Sequence, residues 1–117
     1  MPVHLLVDLT IQEGKLEAFK SLAQEMIART RTEPGTLEYE WHLSGDSKRC
    51  RLIETYVDAD AVLAHLTGSV VQQLVPKMLE HTKIDRFESC GDPGPQAANV
   101  LGSFGAEIFK SWHGLRG

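Results

Sequence analysis

Residues 33–56 read EPG (33–35), TLEYEWHL (36–43), SGDSK (44–48) and RCRLIETY (49–56), and this stretch decides the fold. Pro34 presets its own φ, and Gly35 can take the positive φ that follows proline in a type II turn, so the stretch opens on a turn. From Thr36 to Leu43 the side chains alternate, with Leu37, Tyr39, Trp41 and Leu43 on one side and Glu38, Glu40 and His42 on the other. That is the period of a strand. Ser44 to Lys48 has loop chemistry, and Arg49 to Tyr56 returns as a second strand. The hairpin is expected in the middle of a sheet, with the other elements placed around it.

Upstream, Val3 to Ile11 alternates Val3, Leu5, Val7 and Leu9 against His4, Leu6, Asp8 and Thr10, a strand with one strongly apolar face. From Lys15 to about Thr30 the period changes to three and four residues through Leu16, Phe19, Ala23, Met26, Ile27 and Thr30, which predicts an amphipathic helix. Downstream, Asp58 has the chemistry of an N-cap. Val62, Leu63 and Leu66 continue a helical stripe to Gly68, and Ser69 is a candidate cap for a second piece over 70–79. Pro76 is expected to kink or break that piece. Ile84 to Ser89 reads as a last strand with mixed alternation, stopped by Gly91-Asp92-Pro93-Gly94-Pro95.

The tail carries Ala97, Val100, Leu101, Phe104, Ile108, Phe109 and Trp112, a stripe that predicts a helix over 96–112. Exposed, such a stripe is a sticky patch. It is expected to dock on its own domain or on a partner subunit. The order strand, helix, strand, strand, helix, strand is the βαββαβ pattern of a ferredoxin-like α+β sandwich over residues 1–90, with 91–117 as a loop and an extra C-terminal helix. The apolar face of the first strand should meet the helices. A second copy should cover the other face, which makes a homodimer the expected assembly.

Composition bounds the function. The 117 residues suit one domain with one core. Sixteen acids against twelve bases give a net charge of −4, and the only basic cluster is Lys48-Arg49-Arg51. Nucleic acid is therefore not an expected partner. Nothing approaches the ~20 apolar residues of a membrane span, so no membrane association is expected. Cys50 and Cys90 are isolated, which points to a reduced, cytoplasmic setting and inert thiols. The histidines are scattered without metal-ligand spacing, and phosphate loops and dinucleotide fingerprints are absent, so no metal or other cofactor is expected.

The glycine-ended first strand (VDLTIQEG), the EPG turn followed by Tyr39, the strand end Glu54-Thr55-Tyr56 and the downstream Ala64-His65-Leu66 resemble the antibiotic biosynthesis monooxygenase domain family. In that pattern a strand ends in glycine, an E-P-G turn precedes a tyrosine, and an E-x-W step precedes an A-H-L helix. Tyr56 stands here for the tryptophan. The resemblance covers roughly Val3 to Glu88 and implies a dimeric α/β barrel with a cavity in each subunit. It also implies oxygenation of quinols, anthrones and related aromatics without metal or flavin. In the haem-degrading branch the slots for asparagine, tryptophan and histidine hold Val7, His65 and Val75 here, which disfavours haem.

A cofactor-free oxygenase needs a base, a donor for the developing oxyanion and a mostly dry pocket. His65 is the first candidate base, because histidine titrates near neutral pH and this one matches the A-H-L position. Its alternative is a helix histidine bonded to the sheet. Glu54 in a central strand must be paired or have a raised pKa; it is a second catalytic candidate, or an anchor for the second helix. Asp8 interrupts an apolar run and shares with His4 the face of the first strand expected to line the cavity. Tyr39, Trp41, His42 and Tyr56 are candidate contacts for a flat substrate, with core packing the alternative for the aromatics. The expected function is a monooxygenase acting on a small aromatic or quinol-like metabolite and O2. A non-catalytic binding module on the same fold is the alternative, and a keto-compound isomerase ranks last.

Overall fold

The computed structural model describes residues 1–115. β1 (Val3–Ile11), rather than the hairpin of residues 36–56 expected there, lies at the centre of a five-stranded sheet, and the hairpin's first strand forms an edge. On one side it pairs antiparallel with β3 (Arg49–Tyr56), which pairs antiparallel with β2 (Thr36–Leu43). On the other side it pairs antiparallel with β4 (Thr82–Cys90), and β5 (Glu107–Phe109) adds a short parallel edge to β4. The order β2-β3-β1-β4-β5 is that of a ferredoxin-like sandwich with one strand added.

Strict alternation of burial along β1 sends Val3, Leu5, Val7, Leu9 and Ile11 to the core. Helix α1 (Leu16–Thr30) covers one half of this face with Phe19, Ala23 and Met26. Helix α2 (Ala59–Leu66) covers the other half with Val62 and Leu66. Asp58 caps α2 by accepting a hydrogen bond from the backbone N–H of Ala61 at 2.9 Å, as its sequence position predicts.

The segment after Gly68 departs from the expected capped helix. Ser69 makes no capping hydrogen bond. Val70–Leu74 forms a π-helical turn, in which the Val75 N–H reaches five residues back to Val70 O. Helix α3 (Val75–His81) then starts with Pro76 in its first turn, where a missing N–H costs nothing. The break expected at Pro76 is this change of ladder.

Two strands depart from the alternation read in the sequence, each because of a bulge. In β2 the register shifts between Thr36 and Glu38, which leaves Leu37 exposed while Tyr39 and Trp41 turn to the helices; Leu43 keeps their register and is exposed at the strand's end. In β4 the register against β1 shifts between Asp8 and Leu9, which leaves Asp85 without a counterpart. Ile84 and Phe87 therefore both pack against the core, which explains the mixed pattern of this strand.

The tail is helical only in part. Helix α4 (Pro95–Ser103) buries Ala97 and Leu101 beside Val3, Tyr56 and Val62. It ends in a Schellman motif: Gly105 has φ +81, its N–H bonds to Gly102 O, and the Ala106 N–H bonds back to Leu101 O. The helix expected to run to residue 112 thus stops at Ser103. Ile108 and Phe109 lie in β5, and Trp112 is exposed. The apolar stripe of the sequence spans a glycine, Gly105, at which the chain leaves the helix.

Candidate functional site

A cavity of about 70 Å³ opens between the sheet and the helices, where the two halves of the core meet. Its wall is almost wholly apolar, with Leu5 and Val7 from β1, Met26 from α1 and Phe87 from β4. Glu54, His65, Tyr39 and Trp41 complete the lining. The indole Nε1–H of Trp41 is buried without a hydrogen-bond partner. Phe104, packed on Phe87 at a ring separation of 6.3 Å, is the tail's contribution to the wall.

Pairing fixes the polar groups. Glu54 lies opposite Leu5 on β1 and Tyr39 on β2, so all three point to the helix side. The Tyr56 hydroxyl donates to Glu54 Oε1. His65 comes down from the last turn of α2 with Nε2 3.8 Å from the same Oε1. Its Nδ1 is 2.8 Å from Glu33 Oε1, which also accepts from the Thr36 hydroxyl at 2.9 Å. The rings of Tyr39 and Tyr56 flank the imidazole, each with its centroid 5.5 Å away.

The E-P-G turn makes this possible through space rather than φ. Gly35 does not have a positive φ, contrary to the type II turn expected of it. A Cβ there would lie 2.6 Å from the Ala61 Cβ, so only glycine lets the turn touch α2. His65 is one helical turn beyond Ala61 on the same face, within reach of Glu33.

The electrostatics follow from burial and pairing. Desolvation raises Glu54, opposed by the charge of His65 and the hydrogen bond from Tyr56. Burial works to lower His65, but the hydrogen bond to Glu33 and the charges of Glu54 and Glu33 raise it overall. Glu33 loses some solvation, yet its bond to His65 brings it below the usual carboxylate range. Burial first, then the Glu54 charge, holds the phenols of Tyr39 and Tyr56 well above their ordinary value, so both stay donors.

The structure brings together His65, Glu54, Tyr39, Trp41 and Tyr56 from the candidates, but not Asp8, His4 or His42. The cavity is on the helix face of β1, so the expectation that Asp8 and His4 line it is corrected by strand parity. Asp8 instead takes a two-pronged ion pair from Arg51, at 2.7 Å to Nε and 3.2 Å to Nη2, which lowers its pKa. His4 Nδ1 is 3.0 Å from the Thr55 hydroxyl, which donates to Glu38. His42 is exposed on β2 opposite Arg51. Cys50 is buried, and burial pushes its thiol up to about 11, the state of an inert packing residue. Among the described residues no three His, Cys, Asp or Glu side chains gather to hold a metal ion. No described helix is long and apolar enough to cross a membrane.

Glu33 is the site residue that the sequence did not suggest. The Glu-Pro-Gly that it opens has turn chemistry, although it belongs to the same motif as Tyr39.

Comparison with known proteins covers both the site and the tail. MupZ from Pseudomonas fluorescens superposes with a TM-score of 0.81 at 25% identity, covering 97% of this chain and 93% of its own, so the match extends into the tail. A protein of Mycobacterium tuberculosis (TM-score 0.66, 22% identity) covers 76% of this chain and 90% of its own. One from Shewanella oneidensis (TM-score 0.64, 25% identity) covers 75% and 85%. No curated protein sequence matches the chain at a significant level. The sequence profile of the antibiotic biosynthesis monooxygenases matches residues 2–77, which hold Glu33, Tyr39, Glu54, Tyr56 and His65, and the chain belongs to that family.

Proposed function

We propose that the protein is a cofactor-independent monooxygenase that oxidises a small aromatic or quinol-like metabolite, with Glu54 as the base. The observation that carries this reading is a carboxylate at an apolar cavity with a histidine behind it and phenol and indole donors beside it. Both polar contacts to Glu54 fall on Oε1, which leaves Oε2 for substrate. A raised carboxylate pKa brings the base closer to the acidity of an activated phenol or methylene. The unpartnered Nε1–H of Trp41 is a donor for the anion that forms.

For an anthrone-like methylene the reaction balances without a reductant. Glu54 takes one proton, and the carbanion adds O2 at carbon. Loss of water from the resulting hydroperoxide leaves the ketone, so CH2 and O2 become C=O and H2O. One oxygen atom stays in the product and the other leaves in water. The His65 site assigned from sequence keeps its place in this scheme as the group behind the base rather than as the base itself.

A cavity of 70 Å³ is smaller than the ~150 Å³ that accommodates a benzene ring. Substrate entry therefore requires part of the wall to move. Phe104, half-buried and followed by Gly105, is the wall residue proposed to do so.

The same reading places a second copy over the open sheet face, where Leu6 and Ile53 lie half-buried among ion pairs. Light scattering at micromolar concentration is expected to show a dimer; a monomer would overturn this part.

The test of function is oxygen uptake by metal-free protein with dihydroxyaromatics and anthrones, products followed by mass. Protein-dependent uptake with one oxygen atom gained and two hydrogens lost at the methylene is expected for anthrones. Saturable binding without product would mark a ligand-binding module instead.

A further inference from the structure

Glu54, His65 and Glu33 form a row from the cavity to solvent. Their side chains are 7%, 4% and 24% exposed respectively. Only the outermost carboxylate of the row touches water appreciably, so it is the one that ionises at little cost.

Each inner charge depends on the one outside it. A carboxylate at an apolar wall reverts to its neutral form unless a cation stands close. The cation available to Glu54 is His65, 3.8 Å away. A buried imidazole also sheds its charge unless it is paired, and its hydrogen-bonded partner is Glu33 at 2.8 Å. The titratable groups facing His65 are Glu33 from the turn before β2, Tyr39 from β2, and Glu54 and Tyr56 from β3. Both tyrosines stay neutral. Glu33 is itself fixed by the Thr36 hydroxyl and by the close approach of Gly35 to Ala61.

We infer that Glu33 is a positioning residue that acts through His65: it holds the imidazolium that keeps Glu54 ionised as a base. The inference rests on the reading of Glu54 as the base. Without the Glu33 charge, His65 becomes neutral near neutral pH, and Glu54 keeps its proton and cannot accept another. Two carboxylates and one imidazolium leave one net negative charge beside the cavity. The site thus takes neutral acids, such as un-ionised phenols and activated methylenes, in preference to carboxylates or phosphates.

The test is Glu33→Gln, which keeps the shape of the side chain and an oxygen for Thr36 and His65. Ring-nitrogen NMR of His65 in the intact, substrate-free protein is the first readout. Wild type is expected to hold a doubly protonated ring at neutral pH, and the variant to lose that proton about 1–3 pH units lower. A wild-type ring that is neutral at pH 7, or a titration unmoved by the variant, would overturn the inference. The second readout is the pH profile of kcat/KM on a substrate found by oxygen uptake. Its acid limb should move up by about 1–3 units, giving a loss that approaches about 10- to 1,000-fold on the acid side of both limbs, is smaller at neutral pH and is restored at alkaline pH. A loss equal at every pH would mean a structural role for Glu33 and would also overturn the inference. Should Glu33→Gln not fold, Glu33→Asp keeps the charge and should preserve the His65 titration; loss of that titration in a folded Glu33→Asp counts against the inference. A His65 titration that moves as expected in a protein with no oxygenase activity would sink the monooxygenase reading and leave the coupling standing.

Discussion

The two faces of the central sheet hold carboxylates of opposite fate. Glu54 and Asp8 lie in adjacent strands, and both stand out in the sequence as acids within apolar runs. Glu54 points to the helices and Asp8 to the open face. Burial raises the first, while a two-pronged ion pair with Arg51 lowers the second. A raised carboxylate at an apolar cavity can take a proton from substrate near neutral pH, whereas a lowered one locked to arginine cannot. The difference comes from strand parity, since one residue of register exchanges the faces.

The largest effect should come from breaking the buried side of this comparison. Glu54→Gln keeps an oxygen to accept from Tyr56 and removes the base. Turnover is expected to fall by about 10²–10⁴-fold, with the protein still folded and its melting temperature near wild type. The folded-state pKa of Glu54 is raised, so ionising it opposes folding: its stabilising influence is complete below the unfolded pKa and is lost as pH rises through the folded one. The melting temperature of Glu54→Gln relative to wild type should therefore climb from pH 5 to pH 9. Calorimetry across that range together with steady-state rates checks both statements. Unchanged turnover would remove Glu54 from the mechanism.

Much of the fold was legible because periodicity reports burial directly. Alternation in β1 and the three- and four-residue steps of α1 follow from one-sided packing, and the structure reproduces both. The errors lie where local backbone geometry overrides the period. Bulges in β2 and β4 shift side chains by one residue, and Gly105 ends α4 inside an apolar stripe. The glycine was visible, and the Phe104-Gly105 pair could have signalled a helix end. The site was legible only in pieces. His65 follows from the family motif and Glu54 from its place in a central strand, but their partner Glu33 is hidden because Glu-Pro-Gly also reads as turn chemistry. Contact between residues 33 and 65 is a tertiary fact that no local period encodes. Asp8 and His4 were misplaced for a different reason: the apolar half of β1 was assigned to the helices correctly, but the cavity was expected on the other side.

A smaller perturbation sharpens the buried side without removing its acid. Tyr56 is fully buried, and its hydroxyl donates to Glu54. Tyr56→Phe leaves a buried acceptor short of a partner, which costs about 1–3 kcal/mol. The hydroxyl favours the charged carboxylate, so its loss should raise Glu54 further and make the destabilisation larger at pH 8 than at pH 5. Denaturant melts at the two pH values measure this. A deficit independent of pH would mean that Tyr56 only packs.

The smallest effect is expected on the open face. Asp8→Asn removes an ion pair whose arginine is well exposed, and such pairs contribute little and are screened by salt. Turnover should be unchanged, because Asp8 is on the other face of β1 from the cavity. The folded-state pKa of Asp8 is lowered, so its contribution is present above the unfolded carboxylate pKa and disappears as pH falls through the folded one. The slight deficit of Asp8→Asn relative to wild type should thus vanish in acid, the reverse of the trend for Tyr56→Phe. Protein concentration adds a second axis. If a second copy covers this face, the pair becomes an interface group, and Asp8→Asn should lose more stability in dilute solution than in concentrated solution. A deficit that ignores concentration, beside a dimer seen by light scattering, would place the interface elsewhere on the molecule.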